Sequence, residues 1–521
     1  MPSVNRLFSL LVISSLAVLA ACGSGGSHTN PTPPPSGGFN PSSLNGTYVF
    51  STTGTDSGGN FLAMVGTFAA NGSGSITGGT VDMSDAAFSP ATVKVSITGG
   101  KYSLTADGRG QATLSAHTPF ASSIGVAFVL ASSSHGSIAE FDGNGTGSGT
   151  LDLQTSATLS GSYAFNLSGI DAGGNPLATV GSFTLGAGGA ITGIQDFNDV
   201  GAFTSSALTG AVTPGSSGAP GTATLTTTGA LGSLTFDVFP VGSTDLKFAE
   251  TGGSALLSGD AFAQQTASLP TTATTFAFVM SGVGVTTGAP LALGGLMPID
   301  GVSAISGGTV DLNDNGSAAL GQAFNGSYTA PGTGGRTVIT VSGFSVATQF
   351  VAYPTASAGL QMLESDGTGL VGGVAVAQSS PPASLQASQG YAMNLSAFNL
   401  SAGAEEDDIA EFTTTSTAFS GQIDINDVGQ TNSGQPYSGN YTLDSPASGR
   451  GEFTQSNYNL GVFYAVDGST LLFLDVGDTI GLVGTGTLQL QNAGAQAALA
   501  SQHVLVVPRP LPHGNHRQRI Q

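Results

Sequence analysis

The sequence predicts an all-β protein: four tandem antiparallel domains of about eight strands each, closed as up-and-down barrels of lipocalin or avidin shape, with two-sheet sandwiches as the alternative. Three observations carry this. One pattern is written four times, beginning near Leu44, Leu159, Thr274 and Ser388, and an Asp-x-Ser/Asn-Asp box recurs at Asp82, Asp196, Asp311 and Asp424 with spacings of 114, 115 and 113 residues. So steady a period marks a duplicated domain. Large side chains then alternate: Tyr48 and Phe50; Tyr163, Phe165 and Leu167; Phe276, Phe278 and Met280; Tyr391, Met393 and Leu395. Period two puts them on one buried face and leaves the small or polar residues between them on the other. Finally, glycine supplies 80 of 521 residues and charged residues only 8%, yet 40% are hydrophobic and dispersed rather than gathered in a second long apolar run. That composition suits neither disorder nor a helical membrane protein.

Taken in order, residues 1–22 are a leader. Arg6 precedes the apolar run LFSLLVISSLAVLAA, which ends at Cys22, the only cysteine in the chain. A charged start, an apolar stretch too short to span a bilayer and a small-residue cleavage site make an export signal. Leu19-Ala20-Ala21-Cys22 resembles the lipoprotein box of bacterial lipoproteins, which implies that Cys22 carries acyl chains (a palmitate-type anchor) and becomes the mature N-terminus. Two or three chains, at roughly 0.8 kcal/mol per buried methylene, hold a protein firmly to a membrane. Gly23, where the family's inner-membrane retention signal has Asp, favours the outer membrane or cell surface. Residues 23–43, with five prolines among Gly and Ser, read as a flexible tether.

The repeats span 44–157, 159–267, 274–379 and 388–492. In the first, the alternating segments LAMVGTF, SITGGTVDM, ATVKVSI with KYSLT, GQATLSA, GVAFVLA, GSIAEF and GTLDLQ follow GTYVF, separated by turn signals such as Asp107-Gly108 and Asp142-Gly143. Short hairpins imply a meander, and closing eight strands leaves no edge open. Repeats one and three read ITGGTVDMSD and ISGGTVDLND, one residue longer than ITGIQDFND and FSGQIDIND. An extra residue swaps faces, so the longer pair is expected to carry a bulge before the box. Boxes two and four share Asn-Asp-Val-Gly, which suggests that a pair of repeats was itself duplicated. The pattern resembles uncharacterised Gly-rich repeats of bacterial surface lipoproteins, which implies export and β structure and brings no active residues with it. After Gln491 comes an Ala-rich stretch that could form one short helix. The end of the chain, PRPLPHGNHRQRIQ, is basic, with three arginines, His513 and His516 and no acid, and residues 493–521 read as an Ala-rich then basic disordered tail.

Two repeated features are candidate sites. Paired carboxylates outside the cytoplasm suit calcium, which makes Asp82, Asp85, Asp196, Asp199, Asp311, Asn313, Asp314, Asp424 and Asp427 the candidates. Asp311 to Gly316 opens like an EF-hand loop but has Gln322 at the twelfth position. The competing reading is that the box caps its strand and shapes its turn. The second feature is an acid ending the seventh strand and a glutamine fourteen residues on: Glu140 and Gln154, Glu250 and Gln264, Glu364 and Gln378, Asp475 and Gln489. An acid sharing a face with apolar residues needs a partner, and a neighbouring glutamine can supply one. The pair is either a structural latch near a barrel mouth or a polar anchor in a ligand cavity.

Other chemistry is sparse. His117 and His135 both lie in the first repeat, expected exposed near turns, so no histidine site recurs. With no Cys pair, zinc is disfavoured. The tether and repeats hold 31 acids against six Lys and Arg, which leaves no footprint for nucleic acid. No Trp is present to stack on sugars. The expectation is a lipid-anchored surface protein acting as a structural or adhesive module without catalysis, cofactor or metal. The alternatives are a carrier of small apolar ligands inside the barrels and an extracellular carboxylate-based hydrolase.

Overall fold

The computed structural model describes residues 38–493 except 120, 216–219, 230, 265–267, 345, 357–358, 445–447, 456–457 and 478–480. The leader, Cys22, most of the tether and the basic tail lie outside the described residues.

The described residues form four closed barrels of eight antiparallel strands, each a meander whose last strand pairs with its first. Barrel 1 runs from Asn45 to Leu153, barrel 2 from Gly161 to Gln264, barrel 3 from Thr274 to Ala377 and barrel 4 from Gly390 to Leu490. No α-helix occurs among them, only three short 3-10 turns. Each interior is filled along the predicted parity: Tyr48, Phe50 and Phe68 in barrel 1, Phe165 and Phe183 in barrel 2, Phe278 and Phe324 in barrel 3, Phe412 and Phe453 in barrel 4. Aromatic rings lie over glycines of the next strand. A Cβ on Gly181 would stand 2.6 Å from the Phe165 ring, so the high glycine content follows from ring packing as well as from turns. A leucine from the preceding segment packs into each barrel: Leu44, Leu159, Leu269 and Leu385. The tether ends earlier than composition suggested, because Phe39 and Leu44 are buried and Asn40 caps a 3-10 turn at Pro41–Ser43.

The expected bulges are present. The second and third strands of barrels 1 and 3 shift register at Ala69/Ala70 and between Leu296 and Ile299. The equivalent pairings in barrels 2 and 4 run without a shift.

The expectation of one polar face per strand holds only for part of each barrel. The fifth strands Arg109–Ala116 and Gly221–Thr227 alternate buried and exposed residues, whereas the first and second strands, and the sixth to eighth, are buried on both faces. The cause is that the barrels are not beads on a string. The opening strands of each barrel pack on the closing strands of the next, and those of barrel 4 pack on the closing strands of barrel 1, so the four make a closed head-to-tail ring. Small outward residues such as Val49, Ala164, Ala277 and Ala392 are the seam contacts. A rotation that closes is what lets one repeated interface form a ring rather than a filament.

Candidate functional site: the seams between barrels

The box sits at the end of the third strand of each barrel: Ser75–Asp85, Ala190–Asp199, Ala304–Asp314 and Ala418–Asp427. Its first aspartate points outward into the seam. In barrel 3, Asp311 accepts from Arg450 of barrel 4 through Nε at 2.8 Å and Nη2 at 2.7 Å, and from the Tyr464 hydroxyl at 2.7 Å. In barrel 2, Asp196 accepts from Arg336 Nε of barrel 3 at 2.7 Å and from Tyr353. In barrel 4, Asp424 accepts from Arg109 Nη1 of barrel 1 at 3.2 Å, and Arg109 also donates to Gln422. These carboxylates are buried, and a two-pronged guanidinium is the partner that satisfies a buried carboxylate best. Burial first, then the neighbouring Asp311, pushes the Tyr464 hydroxyl far above its ordinary range, which keeps it a hydrogen-bond donor.

The third position of the box reaches further. Asn198 Nδ2 donates to the carbonyls of Glu364 (3.1 Å) and Gly369 (2.9 Å), Asn313 to those of Asp475 and Leu482 (both 2.9 Å), and Asn426 to those of Glu140 (2.7 Å) and Gly145 (2.9 Å). Each asparagine thus bridges two strand-end carbonyls of the next barrel while its Oδ1 accepts from its own turn, at Gly201, Gly316 and Gly429. That turn is tight enough to put Val200 and Val428 at φ 46° and 45°. A β-branched residue adopts this left-handed region only when its surroundings enforce it.

The calcium candidates are therefore distributed rather than gathered. Asp82, Asp196, Asp311 and Asp424 face the seams, Asn313 bridges to barrel 4, Asp314 is exposed, and Asp199 and Asp427 are half-buried at their turns. Asp85 is buried, accepts from the Ala87 amide at 2.7 Å, and is pushed by burial to about 6. Among the described residues no group of three or more His, Cys, Asp or Glu side chains is placed to share a metal ion. The boxes do shape their turns, and they also join the barrels.

The acid–glutamine pairing is corrected. The glutamines donate across the seams instead: Gln154 to the Pro240 carbonyl at 2.8 Å, Gln264 to Gly334 (3.2 Å) and Pro354 (2.8 Å), and Gln378 to Ser448 (2.9 Å) and Ala465 (2.7 Å). In the fourth repeat the role falls to Gln491 rather than Gln489, with bonds to Asp107 (2.8 Å) and Leu130 (2.9 Å) of barrel 1 that close the ring. The reason is position: these glutamines stand at the end of the eighth strand, where each barrel abuts its neighbour in the ring. The acids remain on the inner face. Burial holds Glu250 up at about 9 and Glu364 at about 8, and raises Glu140 well above the carboxylate range. Glu364 accepts from Thr368 and the Gly369 amide, and Asp475 from the Gly477 amide.

His135 is also corrected. It is 4% exposed and its Nδ1 lies 2.6 Å from Asp152 on the neighbouring strand. Lys247 of barrel 2 stands 3.4 Å from the same Asp152 and 3.3 Å from Asp260.

Sequence reasoning missed the arginines. Five of the six cations in the tether and repeats (Lys94, Arg109, Lys247, Arg336 and Arg450) lie at seams. Arg336 and Arg450 are 114 residues apart, and Arg109 lies 227 before Arg336. Those intervals match one and two repeat lengths and were a readable signal.

No protein-family model matches this chain, and no curated protein matches its sequence.

Proposed function

We propose that this chain is a lipid-anchored protein of the bacterial cell envelope, held by Cys22, whose ring of barrels is a rigid, non-catalytic structural or adhesive module. The observation that carries the proposal is where the repeated polar residues go. The boxes and glutamines are engaged in joining barrel to barrel, so the features that recur fourfold build a scaffold. What such a ring offers a partner is the outward face of its fourth and fifth strands, sparsely charged and rich in hydroxyls and amides, as at Thr222 and Thr226 or Gln430, Thr431 and Asn432, all exposed. Tethering by acyl chains and a Pro-rich segment sets that face away from the membrane. A carrier of apolar ligands asks for several hundred Å³ in each barrel. In barrel 3 the pocket lined by Leu293, Val310 and Phe344 holds about 140 Å³ and a second, open one beside Leu269, Phe276 and Leu360 about 330 Å³, while the barrel interiors are occupied by their own Phe, Leu and Tyr.

The test is to express the full chain and its Cys22→Ala variant and follow fatty-acid incorporation, protease accessibility on intact cells, and attachment of cells to surfaces. Acylation lost in the variant, together with surface exposure and attachment that depend on it, is expected. A protein that incorporates no fatty acid, or whose deletion leaves envelope integrity and attachment unchanged, contradicts the proposal.

A further inference from the structure

The first seam keeps its crossing glutamine, Gln154, but departs from the other three at the box and at the cation that meets it. Pairing of the fifth and sixth strands puts Arg109 opposite Val129 and Arg450 opposite Tyr464. In barrel 2, Gly221 lies opposite Val238, so Pro220 and Phe239 occupy the places that Arg336 and Tyr353 hold in barrel 3. No guanidinium reaches Asp82. Instead both oxygens of buried Asp82 are without a hydrogen-bond donor among the described residues, and its cross-strand neighbour Lys94, on a side chain 57% exposed, donates to Asp237 of barrel 2 at 2.5 Å, which brings the second carboxyl group beside the first. Ser84 replaces the bridging asparagine and reaches barrel 2 only through Thr92, whose hydroxyl donates to the Glu250 carbonyl at 3.1 Å. The apolar contact is small: four buried residues, Val49, Val65, Phe239 and Ala249, against eight at the second seam and twelve at the third, with five at the fourth. A groove of about 490 Å³ runs beside it, lined by Gly46, Leu153, Pro214, Pro220, Phe239 and Pro240 among others.

The geometry points to the seam between barrels 1 and 2 as the line along which the ring opens, closed by a proton shared between Asp82 and Asp237 and released when that proton passes to solvent. With the proton in place, Asp82 donates to Asp237 and the pair carries one negative charge, balanced by Lys94. With the O–H bond broken, two carboxylates share one ammonium in a buried contact, and like charges at that distance repel.

The groups facing the pair are few. Lys94 comes from the fourth strand of barrel 1 and Asp237 from the sixth strand of barrel 2, while the second strand of barrel 1 presents Val65 opposite Asp82. Glu250, on the seventh strand of barrel 2, lies inside that barrel and is itself held protonated by burial, at about 9. Burial first, then the hydrogen bond and charge of Asp237, push Asp82 from 3.8 to about 8, with Lys94 opposing. Because the closed state raises this value, the stabilisation is complete below about pH 4 and is lost as pH rises through about 8. The far end of the same seam is held by a buried cation, Lys247, and has a raised group of its own, Asp245, which burial lifts well above the carboxylate range. Burial works against the charge of Asp152, but His135 and Lys247 together hold it at about 2, and Lys247 also reaches Asp260 and Thr150, with buried Asp245 beside it. That end is the hinge and the Asp82 end is the edge that parts.

Hydrogen exchange on the full chain at pH 6 and pH 9, normalised to intrinsic rates, tests this. Segments 80–85 and 233–240 are expected to lose protection by about tenfold or more between the two values, while 309–314 and 460–465, their counterparts at the third seam, change little. Asp82→Asn removes the titrating proton and keeps the first seam protected at both values. A Thr53→Cys/Ser258→Cys disulfide, built where the two hydroxyls lie 2.9 Å apart across the seam, does the same without touching the carboxyls. Equal loss at the first and third seams, or loss at the first seam that survives both variants, overturns the inference.

Discussion

At the seam between barrels 3 and 4, Asp311 meets an arginine and a tyrosine; at the seam between barrels 1 and 2, the same position, Asp82, meets a second carboxyl group. Both aspartates are buried to within 1% of full. The difference teaches that burial alone does not set the state of a carboxyl group. At Asp311 the two-pronged guanidinium of Arg450 and the Tyr464 hydroxyl offset the loss of water. With a carboxyl group in place of an arginine, burial and Asp237 push Asp82 up to about 8, and the strength of this seam depends on pH.

The largest expected effect breaks the arginine side of this comparison. Arg450→Met leaves Asp311 buried without its cation, which costs about 3–5 kcal/mol, read as a lower denaturant midpoint, with protection at 309–314 falling first. A global unfolding unchanged by this substitution would remove the latch from the account. Next is the pH dependence of the whole chain. Glu140, Glu250, Glu364 and Asp82 are all raised by burial, so the folded state holds protons the unfolded chain releases. Stability from these groups is complete below about pH 4 and declines as pH rises through 8 to 9; thermal melts from pH 5 to pH 9 should show a steadily falling midpoint. Asn198→Ala strips two carbonyls of barrel 3 of their partner and should cost about 1–3 kcal/mol, whereas Ser84→Ala, at the first seam, should cost less than half of that. Smallest is Asp82→Asn, which replaces an already neutral side chain and is expected to change stability at pH 6 by less than about 1 kcal/mol. The same exchange at Asp311 should cost several times more. Equal costs at the two positions would erase the contrast between the seams.

Much of the architecture was legible before any coordinates, and for identifiable reasons. Alternation around Tyr48, Phe165 and Phe278 reports burial directly, and the extra residue in ITGGTVDMSD announced a bulge because strand parity tolerates no slack. What escaped was the relation between repeats. Val49, Ala164 and Ala277 look like filler on an outer face, since a small residue is compatible with solvent or with a close neighbour. Gln154 and Glu140 looked like partners because their spacing recurs, but recurrence in a ring applies equally to contacts within a barrel and between barrels. The seam arginines are isolated residues 114 and 227 positions apart, legible only once a circular arrangement is considered. Gln491 shows the same point: counted along one repeat it seemed displaced by two, yet it occupies the crossing point where barrel 4 meets barrel 1.

The account rests on that last contact, between the first and fourth barrels. Cysteines placed at Gln111 and Ser433, whose side chains touch at 2.9 Å across 322 residues of sequence, in a Cys22→Ala background, can be treated with a short bis-maleimide at low protein concentration. A closed ring predicts rapid, concentration-independent crosslinking within one chain. Slow crosslinking that grows with concentration and yields dimers would mean that the barrels are strung in a line.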